Sequence, residues 1–163
     1  MSVDSVKEFF AEKGLDKTIL FFEDTSTVAK AAEALGVTPG EIAKSLLFQV
    51  AEGCVMIVMA GDQRLDNRKY KDVFKTKAKM PDPDLVIKST GHPAGGVCPF
   101  GLPEDLPVYL DRSLQAYTKV YPAAGAPNAA VEMTVDELAA LTHGVWIDVV
   151  KDPEANSGEQ GAK

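Results

Sequence analysis

Residues 45–60 read Ser45-Leu46-Leu47-Phe48-Gln49-Val50-Ala51-Glu52-Gly53-Cys54-Val55-Met56-Ile57-Val58-Met59-Ala60. Two apolar, β-rich runs flank Ala51-Glu52-Gly53, the pattern of a hairpin with a glycine-containing loop. Elsewhere short β-rich runs alternate with segments of helical period. The expected class is therefore mixed α/β, with a mixed or largely antiparallel sheet.

Upstream of the hairpin, residues 2–13 place Val6, Phe9 and Phe10 on one side of a helix that Gly14 ends. Residues 18–22 read as a strand. Asp24-Thr25-Ser26 offers N-cap candidates for a second helix bearing Val28, Ala31, Ala32 and Leu35, stopped by Gly36. Thr38-Pro39-Gly40-Glu41 is a capping box with proline at the first helical position, so a single turn begins there. Lys44 follows, where that turn passes into the hairpin. By itself it reads either as a helix-end or snorkelling cation or as an ammonium fixed at the mouth of a pocket.

Downstream, Tyr70, Val73 and Phe74 suit one helix, and Asp82-Pro83 caps another that carries Leu85, Val86 and Ile87. That helix runs into Gly91-His92-Pro93-Ala94-Gly95-Gly96-Val97-Cys98-Pro99-Phe100-Gly101. Four glycines and two prolines there make either a tightly turned connection or a cradle of backbone amides. Strands are expected over residues 108–110, 117–121, 129–133 and 145–150, with Trp146 packed on the core. Thr134-Val135-Asp136-Glu137 is a second capping box, opening a helix that stops near Gly144. Residues 1–150 form one domain in this reading, and the polar tail 151–163 is expected to be disordered.

The 163 residues carry a net charge of -7, which argues against a protein that coats nucleic acid non-specifically. Residues 64–79 nevertheless hold Arg64, Arg68, Lys69, Lys71, Lys75, Lys77 and Lys79 against Asp66 and Asp72. This run suits a phosphate backbone or a solvated helix face. No apolar run approaches the roughly 20 residues of a membrane helix, and no secretory signal is visible, so a cytoplasmic protein without a membrane partner is expected.

Cys54 and Cys98 are too far apart for a C-x-x-C motif. With His92 and His143 they nominally supply four metal ligands, but no close-spaced pair anchors a site, so neither metal nor cofactor is expected. A nucleophilic pair of Cys98 with His92 or His143 competes with a plain buried thiol. The P-loop, G-x-G-x-x-G and G-x-S-x-G patterns are missing.

Three separated stretches together resemble the YbaK/EbsC family. They are Gly36-Val37-Thr38-Pro39-Gly40-Glu41-Ile42-Ala43-Lys44-Ser45-Leu46-Leu47-Phe48, the glycine loop from Gly91, and Ala124-Gly125-Ala126-Pro127-Asn128-Ala129-Ala130-Val131-Glu132. That family includes the editing domain inserted in bacterial prolyl-tRNA synthetases and its free-standing relatives. The resemblance implies the editing-domain fold, a barrel-like, mostly antiparallel mixed sheet with surrounding helices. It also implies an aminoacyl-tRNA deacylase that clears small amino acids such as alanine or cysteine from tRNA-Pro in trans. Its partner would be mischarged aminoacyl-tRNA, with an aminoacyl-tRNA synthetase as a second candidate.

By that resemblance Lys44 is the catalytic residue. Ser45, Gly91, His92, Gly95, Gly96, Val97, Ala124, Gly125 and Asn128 would bind substrate, and Arg64, Arg68, Lys69 and Lys71 would contact the tRNA. In the cysteine-specific branch a serine and an aspartate stand in the third stretch, where this chain has alanines around Ala123 and Ala130. Alanine or another small amino acid therefore stays open. A non-catalytic nucleic-acid-binding or protein-binding module on the same fold is the alternative.

Overall fold

The computed structural model describes residues 2–23, 27–51, 53–93, 97–103 and 106–151. Helix α1 (Ser2–Glu12) buries Val6 and Phe10 against Phe100, with the Phe10 and Phe100 ring centroids 5.1 Å apart. Strand β1 (Ile19–Phe21) precedes α2 (Val28–Leu35). The α2 N-cap is Thr27, whose hydroxyl accepts from Lys30 N at 3.2 Å, and Gly36 closes the helix at φ 75°. The expected caps at 24–26 lie outside the described residues.

The first capping box forms a 3-10 turn (Pro39–Glu41) in which Thr38 N donates to Glu41 Oε1 at 2.9 Å. The chain passes directly into β2 (Ile42–Val50), which pairs antiparallel with β3 (Gly53–Ala60) over eight partners from Ala43↔Ala60 to Val50↔Gly53. Helices α3 (Asn67–Phe74) and α4 (Pro83–Thr90) follow, capped by Asp66 and Asp82. Then come β4 (Val108–Asp111), a 3-10 segment (Arg112–Ala116), β5 (Lys119–Pro122), β6 (Ala129–Val131), β7 (Met133–Thr134), α5 (Val135–Thr142) and β8 (Val145–Ile147).

Six strands form one curled sheet in the order β7-β5-β2-β3-β4-β8, and β1 pairs with β6 in a second sheet. The class is mixed as expected: β2–β3, β5–β7 and β1–β6 are antiparallel, and β2–β5, β3–β4 and β4–β8 parallel. From Val55 to Ala60 the β3 residues are buried on both faces. Met56 and Val58 join the larger core with Leu110, Leu114 and Leu138, whereas Ile57 and Met59 join a smaller one with Phe48, Tyr70 and Val149.

Two expectations give way. The run expected as one strand over residues 129–133 splits at Glu132, because Ala129–Val131 pairs with β1 and Met133–Thr134 with β5. Trp146 remains 37% exposed, since β8 is a three-residue strand at the sheet edge with no strand beyond it among the described residues. After β8 the chain turns away, and Val150 bridges Leu65.

Asp111 fixes that turn. Fully buried, it accepts from Val149 N at 2.7 Å and from Ser113 N at 2.8 Å. Replacing Asp111 with alanine strands the buried Val149 N–H, and urea unfolding should show a loss of about 2–4 kcal/mol.

Candidate functional site

Strand β2 pairs with β3 from Ala43 to Val50 on one side but with β5 only at Ile42↔Tyr121 and Ala43↔Pro122 on the other. Gln49 N, which donates to Lys79 O at 2.7 Å, marks the side facing away from β3. Antiparallel alternation puts the main-chain groups of Ser45 and Leu47 on that same side. An open strand edge therefore begins just after Ala43.

A cleft of about 340 Å³ lies along it. Its walls are Val28, Ala31 and Leu35 of α2, residues 42–47 of β2, Val86 of α4, and Ala123, Pro127, Ala129 and Ala130 of the small-residue loop and β6. Phe22, Thr27, Met80, Pro81, Val97 and Tyr121 complete it. The lining is mainly apolar, and the volume suits a small organic ligand.

Polarity is concentrated on β2. Lys44 Nζ donates to the main-chain oxygen of Gln63 at 2.6 Å. Burial holds its pKa below the ordinary lysine value; Asp62 opposes that shift and Arg64 adds to it. An ammonium has three donors, so among the described residues two remain after the Gln63 bond. Ser45 Oγ, buried at the same edge, has no hydrogen-bond partner among the described residues.

Of the residues expected to bind substrate, Ser45 and Val97 line the cleft together with Lys44. Gly95 and Gly96 lie outside the described residues. Gly91 is the left-handed C-cap of α4, at φ 75°, and donates to Ile87 O at 2.7 Å. His92 is fully buried, with Nε2 2.8 Å from Phe100 O and 3.5 Å from Cys98 Sγ. Ala124 sits in the core, Gly125 is buried at φ 96°, and Asn128 O accepts from Phe22 N at 3.1 Å. None of these last five is among the residues that line the cleft.

Cys98 is equally buried, and desolvation pushes its thiol up to about 12. Burial also lowers the His92 pKa, which keeps the ring neutral. An uncharged pair sealed from solvent lacks the thiolate that nucleophilic catalysis requires. Among the described residues no group of three or more His, Cys, Asp and Glu side chains is placed to hold a metal.

The basic residues divide. Arg64, Arg68 and Lys71 are exposed, and Arg68 and Lys71 border a surface hollow with Asp72 and Lys75. Lys69 is instead a tether, its Nζ bonded to Asp148 Oδ1 at 3.1 Å and to Val150 O at 2.8 Å. Sequence reasoning missed the apolar wall from α2 and the Gln63 carbonyl. The helical period marked the buried face of α2 but not what it faced, and a main-chain acceptor leaves no residue-type signal.

Residues 23–141 match the family model for the aminoacyl-tRNA editing domain. The chain is 46% identical over 158 residues to YwhH of Bacillus subtilis, a protein of uncharacterised function, covering 94% of this chain and 100% of that one. It is 30% identical over 129 residues to EbsC of Enterococcus faecalis, named a candidate Cys-tRNA(Pro)/Cys-tRNA(Cys) deacylase, covering 78% and 79%. The crystal structure of a candidate trans-editing enzyme for prolyl tRNA synthetase matches with a TM-score of 0.87 at 32% identity, covering 93% of this chain and 98% of that one.

The two thiols should differ in reactivity. Iodoacetamide applied to the native protein is expected to label the half-buried Cys54 and to spare Cys98 until denaturant is added, as peptide mass analysis would read.

Proposed function

The chain belongs to the aminoacyl-tRNA editing domain family, and from that premise we propose that it hydrolyses the ester joining a mischarged amino acid to the terminal adenosine of tRNA. It acts in trans on small amino acids, alanine or cysteine on tRNA-Pro being the leading candidates. The observation that carries this reading is the placement of Lys44, a partly desolvated ammonium on an open strand edge inside an apolar cleft.

An aminoacyl ester is already activated, so positioning and a polarised carbonyl suffice without a protein nucleophile. Water adds to the carbonyl carbon, and the developing oxyanion is held by Lys44 Nζ and the main-chain donors of the β2 edge. The bond to the ribose oxygen then breaks, that oxygen takes up a proton, and the amino acid leaves as its carboxylate. Lys44 acts in its charged form. Because its pKa lies below the ordinary lysine value, activity falls as pH rises through that lowered pKa.

The lining says something about the acyl group. Ala123, Ala129 and Ala130 give short walls, and Ser45 adjoins Lys44 along β2. One methylene changes such binding by only about 1–3 kcal/mol, so discrimination among small side chains would be modest. The acceptor stem would run from Arg64, whose charge acts on Lys44, toward Arg68 and Lys71 on α3.

Incubation with a panel of aminoacylated tRNAs tests the reading. Release of at least one small amino acid is expected, and Lys44→Ala should lower kcat about 100-fold or more. No release from any tRNA would overturn it; salt-dependent tRNA binding without turnover would favour the non-catalytic module. The double variant Arg68→Glu, Lys71→Glu should raise KM for aminoacyl-tRNA roughly tenfold at low salt with kcat little changed, whereas Lys69→Glu should chiefly lower stability by freeing the segment it tethers.

A further inference from the structure

The turn that follows β3, Gly61-Asp62-Gln63-Arg64, meets the Lys44 ammonium. Its contact is a main-chain carbonyl, Gln63 O, 2.6 Å from the ammonium. A carbonyl oxygen carries no formal charge and cannot titrate, so it orients the ammonium while leaving the charge available to a ligand.

The path of the turn is set by Gly61. A Cβ there would meet Pro39 O, Val28 Cγ1 at 2.7 Å and Ile42 O at 2.9 Å. Those atoms belong to the 3-10 turn, to α2 and to the start of β2, and Val28 and Ile42 also line the cleft. Only a residue without a side chain lets the turn lie so close, which places Gln63 O within reach of Lys44. Gln63 N in turn donates to Ala60 O at 3.1 Å, so the carbonyl hangs directly from the end of β3.

Asp62 and Arg64 are the charged groups acting on Lys44. The remaining titratable group at the cleft wall is Tyr121 of β5, whose hydroxyl donates to Glu132 Oε2 at 2.6 Å. Asp62 is exposed and its Oδ1 accepts from Gln63 Nε2 at 3.1 Å, so its removal leaves the core intact.

We infer that the Gly61–Gln63 turn is a positioning device for Lys44: Gln63 O aims the ammonium, Gly61 permits the approach, and Asp62, between them in the chain, brings a carboxylate to the same turn. This inference rests on the deacylase reading for its role in turnover but not for its effect on Lys44 itself. The three parts have separable effects, since aim alters rate at constant charge and the carboxylate alters charge at constant aim.

The experiment follows the Lys44 Cε resonance through a pH titration in ¹³C-lysine-labelled protein, assigned by its loss in Lys44→Arg, alongside pH profiles of deacylation corrected for uncatalysed ester hydrolysis. In Asp62→Asn the Lys44 midpoint should fall by about half a pH unit or more, with the alkaline limb of kcat moving the same way; Asp62→Glu should restore both. Folded Gly61→Ala should lose kcat about tenfold or more with KM changed less than about threefold. A Lys44 midpoint unmoved by Asp62→Asn, or wild-type kcat in folded Gly61→Ala, overturns the inference. If the midpoint moves as expected while neither wild type nor variants cleave any aminoacyl-tRNA, the hold on Lys44 stands and the deacylase reading falls.

Discussion

An ammonium placed among apolar side chains has to be compensated where it stands, and among the described residues Lys44 is compensated by a main-chain oxygen and by the charge of Asp62 in the same turn, with no ion pair. A full buried counter-ion would neutralise the charge and remove it from use, whereas a carbonyl orients it and leaves its field directed into the cleft. Much of the local architecture follows from that requirement. The 3-10 turn starts β2 next to α2, β5 stops beside Ala43, and the turn after β3 returns to within 2.6 Å of the lysine.

The early end of the β2–β5 pairing is the second half of the arrangement. A parallel neighbour running the length of β2 would consume its outward main-chain groups and fill the cleft with side chains. Because β5 gives way at Pro122 to the loop of residues 123–128, the space is walled by alanines and proline, while β6 carries the chain off to pair with β1. Small residues in that loop are therefore what keep the cleft open. The buried His92, Cys98 and Phe100 form a separate cluster, which Phe10 joins through its ring contact with Phe100.

Much of the fold was legible because its signals are local. Both capping boxes, the Asp82-Pro83 start, the Gly36 stop and the hairpin rest on contacts within a few residues. What escaped depends on distant partners. That Ala129–Val131 leaves the main sheet is decided by β1, over a hundred residues earlier, and the exposure of Trp146 by its place at the sheet edge. Within the candidate site, Lys44, Ser45 and Val97 were reachable from the family resemblance, but Gly91 and His92 belong to the same stretch for different reasons, one ending a helix and one packing against Phe100. Composition marked residues 64–79 as basic, yet only the fold separates exposed Arg68 and Lys71 from Lys69, which ties down the segment after β8.

A crystal structure with a non-hydrolysable 3′-amide analogue of alanyl-adenosine tests the central claim most directly. The account predicts the analogue in the cleft, its carbonyl oxygen at about 3 Å from Lys44 Nζ and its methyl group against Ala129 and Ala130. An analogue seated elsewhere, or in the cleft with its carbonyl turned away while Lys44 keeps its contact with Gln63 alone, would contradict it.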